Sequence, residues 1–328
     1  MRCNDSNNRG SALVLAIAVL GIVVAFGFAM YRFTLLEQDS LAVDLDKDRA
    51  LWDAKSGVEQ AIAELQVVIA SGQADSLLGK DMAVPLSVYH LAGKGTEAGA
   101  APLVPDDRYA SEAVVQISDE CARMNVNLAP PAVLMSILKI DGEKARQLRE
   151  RLPRLDGPAV EDENRRWLSS VKELAGMQVL PSESLADERE ANLTVFSAID
   201  MRDPAGFVNL NTASGAVIEA ALGVTPEIAG KVIAARPLNS LEAVVAAAGK
   251  DANGFNFKPA ADSPGALPKE LAFSSRCFRI RSTAQLKKRD RENPRGIATV
   301  VAVVQFPENA APRIVYWNEP PVSANTGK

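Results

Sequence analysis

The sequence predicts an α+β chain: a long N-terminal helix, a small antiparallel sheet, and a large all-α domain inserted into that sheet. Three observations carry the prediction. An uncharged, almost wholly apolar run from Gly10 to Tyr31 leads straight into a helical stripe. Strand-like segments stop near Ser118 and resume only at Arg276. The stretch between them repeats itself at an offset of 84 residues, from Asn125 to Asn209.

Composition bounds the function. The chain has 328 residues, 36 Lys and Arg against 41 Asp and Glu, one His (His90) and three Cys. With 47% hydrophobic and 23% charged residues it is neither disordered nor collagen-like, and it has room for two or three globular units. One His and three scattered Cys leave little material for a tetrahedral zinc site or a Ser/His/Asp set, so no catalytic residue and no certain cofactor is expected. Charge is segregated: residues 1–118 carry 9 basic and 15 acidic groups, 119–275 carry 17 and 22, and 276–328 carry 10 and 4. That distribution does not suit a whole-protein grip on nucleic acid, although a local basic patch stays open.

At 1.5 Å per residue, Ser11 to Tyr31 makes a helix of roughly 30 Å, the thickness of a bilayer's hydrocarbon. A cleaved secretory signal has an apolar core of only about 7–15 residues and then a small-residue cleavage site; here the helix continues without a break. Arg2 and Arg9 precede the run, so this end is expected in the cytoplasm and the remainder beyond the membrane. Past it, Leu51, Ala54, Val58, Ala61, Leu65 and Val68 mark one face of an amphipathic helix. The stretch before that face, with Asp39, Asp44, Asp46 and Asp48, reads as exposed. Ser71-Gly72 stops the helix, and 71–110 reads as irregular connection.

Glu112–Ser118 is expected as a short strand, followed after the insert by Arg276–Ala284, Ile297–Gln305 and Arg313–Trp317. In the second of these, Phe278, Ile280 and Ser282 alternate with Cys277, Arg279 and Arg281. An insert is tolerated where its two ends lie close in space.

Within the insert, Asn125-Val-Asn127-Leu-Ala129 matches Asn209-Leu-Asn211-Thr-Ala213. The same offset aligns Val133, Leu134, Leu138, Ile140 and Ala145 with Val217, Ile218, Leu222, Val224 and Ala229. Each copy predicts a helix, a tight turn (Lys139–Gly142; Gly223–Pro226) and a second helix, a unit of the helix-hairpin-helix or SAM-like kind. Trp167–Met177 is similar in style to the segment beginning Asn239-Ser-Leu. Two roles compete for these hairpins. A Gly-apolar-Gly turn would bring backbone N–H groups to phosphate, but the second copy has only the first Gly and the first copy places Asp141 at its turn. Lys144, Arg146, Arg149, Arg151 and Arg154 form a basic cluster interleaved with Glu143, Glu150 and Asp156, whose default is a solvated face. Packing or protein interaction is the alternative to DNA.

A polar leader ending in Arg9-Gly10 before an apolar helix resembles the type IV prepilin leader, cut by prepilin peptidase between Gly10 and Ser11. Most members carry Glu at the fifth mature position; here it is Leu15. A carboxylate without a partner costs several kcal/mol in hydrocarbon, so a subunit with none stacked above it gains nothing from one. A plain one-pass anchor with a chance Arg-Gly is the other explanation. Together with Asp119-Glu120-Cys-Ala-Arg-Met-Asn-Val-Asn127, Leu193-Thr-Val195, Val208–Ala213 and Tyr316-Trp317-Asn-Glu319, these features resemble the minor pseudopilin K family of the type II (general) secretion pathway.

The resemblance implies a 1–10 leader and an 11–70 helix with its span at 11–31. A pseudopilin head at 71–118 and 276–328 would be interrupted by an α-domain at 119–275, with repeats at about 122–195 and 206–250. It implies an inner-membrane, single-pass, periplasmic-facing subunit, N-methylated after cleavage. With the minor pseudopilins I and J it would initiate or cap the fibre, and no nucleic-acid partner is expected. The alternatives are a membrane-anchored DNA-uptake protein and a minor pilin of another type IV filament. Some family members bind Ca2+ through α-domain carboxylates; Glu161, Asp162, Glu163, Asp187, Glu188, Asp200 and Asp203 are candidates, none at EF-hand spacing. Cys3 falls in the leader, leaving Cys121 and Cys277 at the two ends of the insert. They form either a disulfide across its neck or two buried thiols. Closing so long a loop would stabilise the fold by up to about 5 kcal/mol in the chain-entropy model.

Overall fold

A computed structural model describes residues 7–72, 87–89, 109–152, 167–177, 180, 191–197, 207–257, 267–288, 296–308 and 310–320. The first element, α1 (Asn7–Ala70), is a single helix of 64 residues, about 96 Å long at 1.5 Å per residue. It ends where expected, at Ser71-Gly72, with Gly72 in the left-handed region. Its front half packs against nothing among the described residues: Leu13, Leu20, Val24, Phe26, Phe28 and Phe33 are each more than half exposed. Its back half lies on a sheet.

That sheet has five strands in the order β1-β2-β7-β8-β9, all neighbours antiparallel. They are β1 (Ser87–Tyr89), β2 (Tyr109–Asp119), β7 (Cys277–Lys288), β8 (Gly296–Gln305) and β9 (Arg313–Asn318). β2 is longer than Glu112–Ser118, and β1 lies inside the stretch read as irregular. Three residues among Gly, Ala and Pro give too short a period-2 signal to register. The pairing Ile117↔Ile280 and Asp119↔Phe278 brings the two ends of the insert side by side.

The face toward α1 is built from the residues that the alternation predicted. Phe278 and Ile280 are buried against Ala50, Ala54, Val58, Ala61 and Leu65; Ser282 is buried with them. Leu51 and Val68, the ends of the predicted stripe, flank this core half-covered, and Ala50 and Ile62 complete it. Small residues set the spacing. A Cβ on Gly57 would collide with the Ser282 hydroxyl and lie 3.2 Å from a Val115 methyl, and one on Gly296 would strike the Asp46 carbonyl. This approach buries Asp46, correcting its expected exposure, while Asp39, Asp44 and Asp48 remain exposed.

The insert has its own core, formed around Leu134, Leu138, Leu148, Leu174, Leu210, Ile218 and Phe255. Its hairpins are α2 (Pro131–Leu138) with α3 (Gly142–Arg151), and α4 (Gly215–Leu222) with α5 (Pro226–Ala234). Lys139 and Gly223 occupy equivalent left-handed C-caps, φ 55° and 61°. The third helical segments are a 3₁₀ stretch, Val171–Met177, and α6 (Leu241–Ala248). Each copy closes on a two-residue strand parallel to its opening one. β3 (Met124–Asn125) pairs with β4 (Leu193–Thr194), and β5 (Val208–Asn209) with β6 (Leu271–Ala272). The second copy therefore runs past residue 250, to the end of the insert.

Candidate functional site

Asn-x-Asn-x-Ala is a clasp, made the same way twice. The first Asn turns the chain: Asn125 Oδ1 accepts Asn127 N at 3.0 Å, and Asn209 Oδ1 accepts Asn211 N at 2.9 Å. The second Asn holds the start of the third helical segment with both halves of its amide. Asn127 exchanges two 3.0 Å bonds with the Leu168 backbone. Asn211 accepts Leu238 N at 2.7 Å and donates to Leu238 O at 2.9 Å. In each copy an arginine takes two backbone carbonyls of the clasp, though only the last of them corresponds: Arg149 donates to Asn127 O (2.8 Å) and Ala129 O, and Arg236 to Leu210 O (2.9 Å) and Ala213 O. The likeness of Trp167–Met177 to the segment at Asn239 thus has a structural basis. Arg149 also leaves the predicted solvated face; Lys144 and Arg146 keep to it, in exposed ion pairs with Asp141 and Glu143.

The two copies meet the sheet at consecutive buried carboxylates. Asp119 accepts Cys121 N at 2.7 Å, the Thr212 and Ser275 hydroxyls, and Asn209 Nδ2 at 3.5 Å. Glu120 accepts the Thr194 hydroxyl and the guanidinium groups of Arg279 and Arg123. Asp119 thereby holds the second copy and Glu120 the closing strand of the first. Asp119-Glu120 stands in the motif quoted above, but apart from Cys121 and Arg123 its partners lie 74 to 159 residues away.

Cys121 and Cys277 lie beside this pair, buried with Val303 under Phe196 and Tyr316. Both are free thiols in the structure. Burial above all, then the nearby Asp119 carboxylate, raises the Cys121 thiol pKa. Burial, then Cys121 and Glu120, raises that of Cys277.

The hairpin turns do not suit phosphate. The Asp141 carboxylate already caps α3, accepting Lys144 N at 2.8 Å. At the other turn, Pro226 and Glu227 open α5, so one amide is missing and a negative charge stands in its place.

Gly10 and Ser11 lie on the backbone of α1, continuous with its apolar run, and Leu15 is 68% exposed on it. Cys3, His90, Arg154, Asp156 and the calcium candidates Glu161, Asp162, Glu163, Asp187, Glu188, Asp200 and Asp203 lie outside the described residues. Among the described residues, no three His, Cys, Asp or Glu side chains are grouped so as to hold a metal.

No family model and no curated protein matches the chain. Among solved structures, it is similar to a chain in the crystal structure of the GspK-GspI-GspJ complex from the type 2 secretion system of enterotoxigenic Escherichia coli. The likeness covers 81% of this chain and 98% of that one, at 15% identity and a TM-score of 0.42.

Proposed function

We propose that this chain is a minor pseudopilin of a type II secretion system, retained in the inner membrane by α1 and placed at the tip of the periplasmic fibre. The observation that supports it best is α1 itself. One unbroken helix offers an exposed apolar half, with Leu15 at the fifth position after Gly10, and a half bound to an antiparallel sheet. Its mode of action is assembly: the apolar half packs among other such helices, while the α-domain makes the head too broad for a subunit in register above it. Prepilin peptidase removes residues 1–10, and the partners are the minor pseudopilins I and J. Deleting the chain from its host is expected to abolish export and shorten or eliminate the fibre. Unimpaired export and normal fibres would refute the tip role.

An exported head also bears on Cys121 and Cys277. In that compartment each thiol loses a proton and one electron to the disulfide of an exported oxidoreductase, closing a bond across the neck. Because burial suppresses the thiolate, the bond forms before the insert packs down. Unreduced peptide mapping is expected to recover the two cysteines linked, and two alkylatable thiols would contradict this. If the protein is reduced, both buried thiols stay protonated in the fold while the unfolded chain ionises above pH 9.0. Their contribution to stability, complete below that pH, then declines by about 1.4 kcal/mol per pH unit per thiol as pH rises further. The oxidised protein lacks that decline, and equal alkaline stability of both forms would refute it.

A further inference from the structure

Between the first repeat and the sheet lies a cleft of about 510 Å³ whose walls carry Arg123, Arg279 and Lys172. Beneath them, the fully buried Glu120 is shared: Arg279 Nε and Arg123 Nη1 both donate to its Oε1, and the Thr194 hydroxyl takes Oε2. Two guanidinium groups thus share this carboxylate, while the Lys172 ammonium stands on the cleft wall without contact to it among the described residues. Glu173, next to Lys172 but not part of the cleft lining, accepts the Ser169 and Ser170 amides at 3.0 Å. Arg123 Nε is buried with no acceptor among the described residues. A buried donor left open is unfavourable, and an incoming anion would satisfy it.

The rest of the cleft is not shaped for a small inorganic ion. Phe196 and Tyr316 stack beside it, ring centroids 5.2 Å apart, with the Arg279 guanidinium 6.0 Å from the Phe196 ring. Tyr316 belongs to β9, which pairs with β8 alone among the described strands and leaves its other edge open to an extended chain.

We propose that this cleft binds a carboxylate side chain carried by an extended segment of a partner polypeptide, held by Arg123, Arg279 and Lys172 with its backbone against the free edge of β9. The site belongs to the head and stands apart from the anchor and its processing.

The test uses the full chain in detergent micelles at low salt and a fluorescein-labelled peptide of three consecutive Glu with blocked termini, followed by fluorescence anisotropy. Saturable binding is expected, at least tenfold tighter than for the matching Gln peptide. Lys172→Glu, on an exposed side chain, is expected to weaken it at least tenfold without changing the circular dichroism spectrum. Arg123→Lys, which keeps the charge but loses the forked donor, is expected to weaken it less. The proposal is overturned by no binding, by equal affinity for the Glu and Gln peptides, or by unchanged affinity in Lys172→Glu. Displacement by inorganic phosphate as effective as that by unlabelled Glu peptide would overturn it as well, making the cleft a simple anion hole.

Discussion

Asp119→Ala is expected to lower stability by about 3 kcal/mol or more, because it strands several buried donors at once. Cys121 N, the Thr212 and Ser275 hydroxyls and Asn209 Nδ2 all converge on this carboxylate, which is 2% exposed. They come from the outgoing neck strand, the opening clasp of the second copy and the return to β7, so their loss also loosens the α-domain from the sheet. For a folded unit of this size the thermal midpoint should fall by roughly 6–12 °C. Limited proteolysis should cut first near residues 120 and 276. Asp141→Ala provides the comparison: its carboxylate is exposed, caps α3 and pairs with the exposed Lys144, so a much smaller loss is expected. Equal effects at the two positions would mean that the neck carboxylate is not what joins the parts.

A second large effect is expected in the apolar half of α1, the anchor of the proposed function. Val19→Lys places an ammonium near the middle of the apolar half of α1, where side chains are exposed and no described acid stands nearby. A lysine at the centre of a spanning helix costs roughly 2.5–3.5 kcal/mol, or about a hundredfold in the insertion equilibrium. Most of the variant should therefore leave the membrane fraction. Leu45→Lys, equally exposed but beyond the apolar run, should remain there. If both stay in the membrane fraction under carbonate wash, the front half of α1 is not what anchors the protein.

How much of this was legible in the sequence depends on how far apart the interacting residues lie. The long N-terminal helix, the stripe from Ala54 to Leu65, the alternation at Phe278–Ser282 and the two hairpins are patterns within a few turns of chain, and they appear where periodicity places them. The long-range features do not show in that way. Asp46 reads as solvated because its neighbours are acidic, yet Gly296, some 250 residues on, lets β8 come close enough to bury it. The second copy's closing strand, Leu271–Ala272, has two residues and is defined only by its partner Val208–Asn209. Arg149 sits in a run of alternating charge, and nothing local distinguishes it from Arg146; its role depends on carbonyls 20 and 22 residues earlier. Arg123 and Arg279 likewise meet only through Glu120, so the cleft is invisible until the sheet and the insert are both in place.

In the proposed function the apolar helix is trimmed at its inner boundary and then kept. Intact-mass and N-terminal sequence analysis of the protein extracted from its host's membranes tests it most directly. A mature chain starting at Ser11, N-methylated and retaining the whole run to Tyr31, is the expected result. A membrane-bound chain starting at Met1, or a soluble one starting after residue 31, would contradict it.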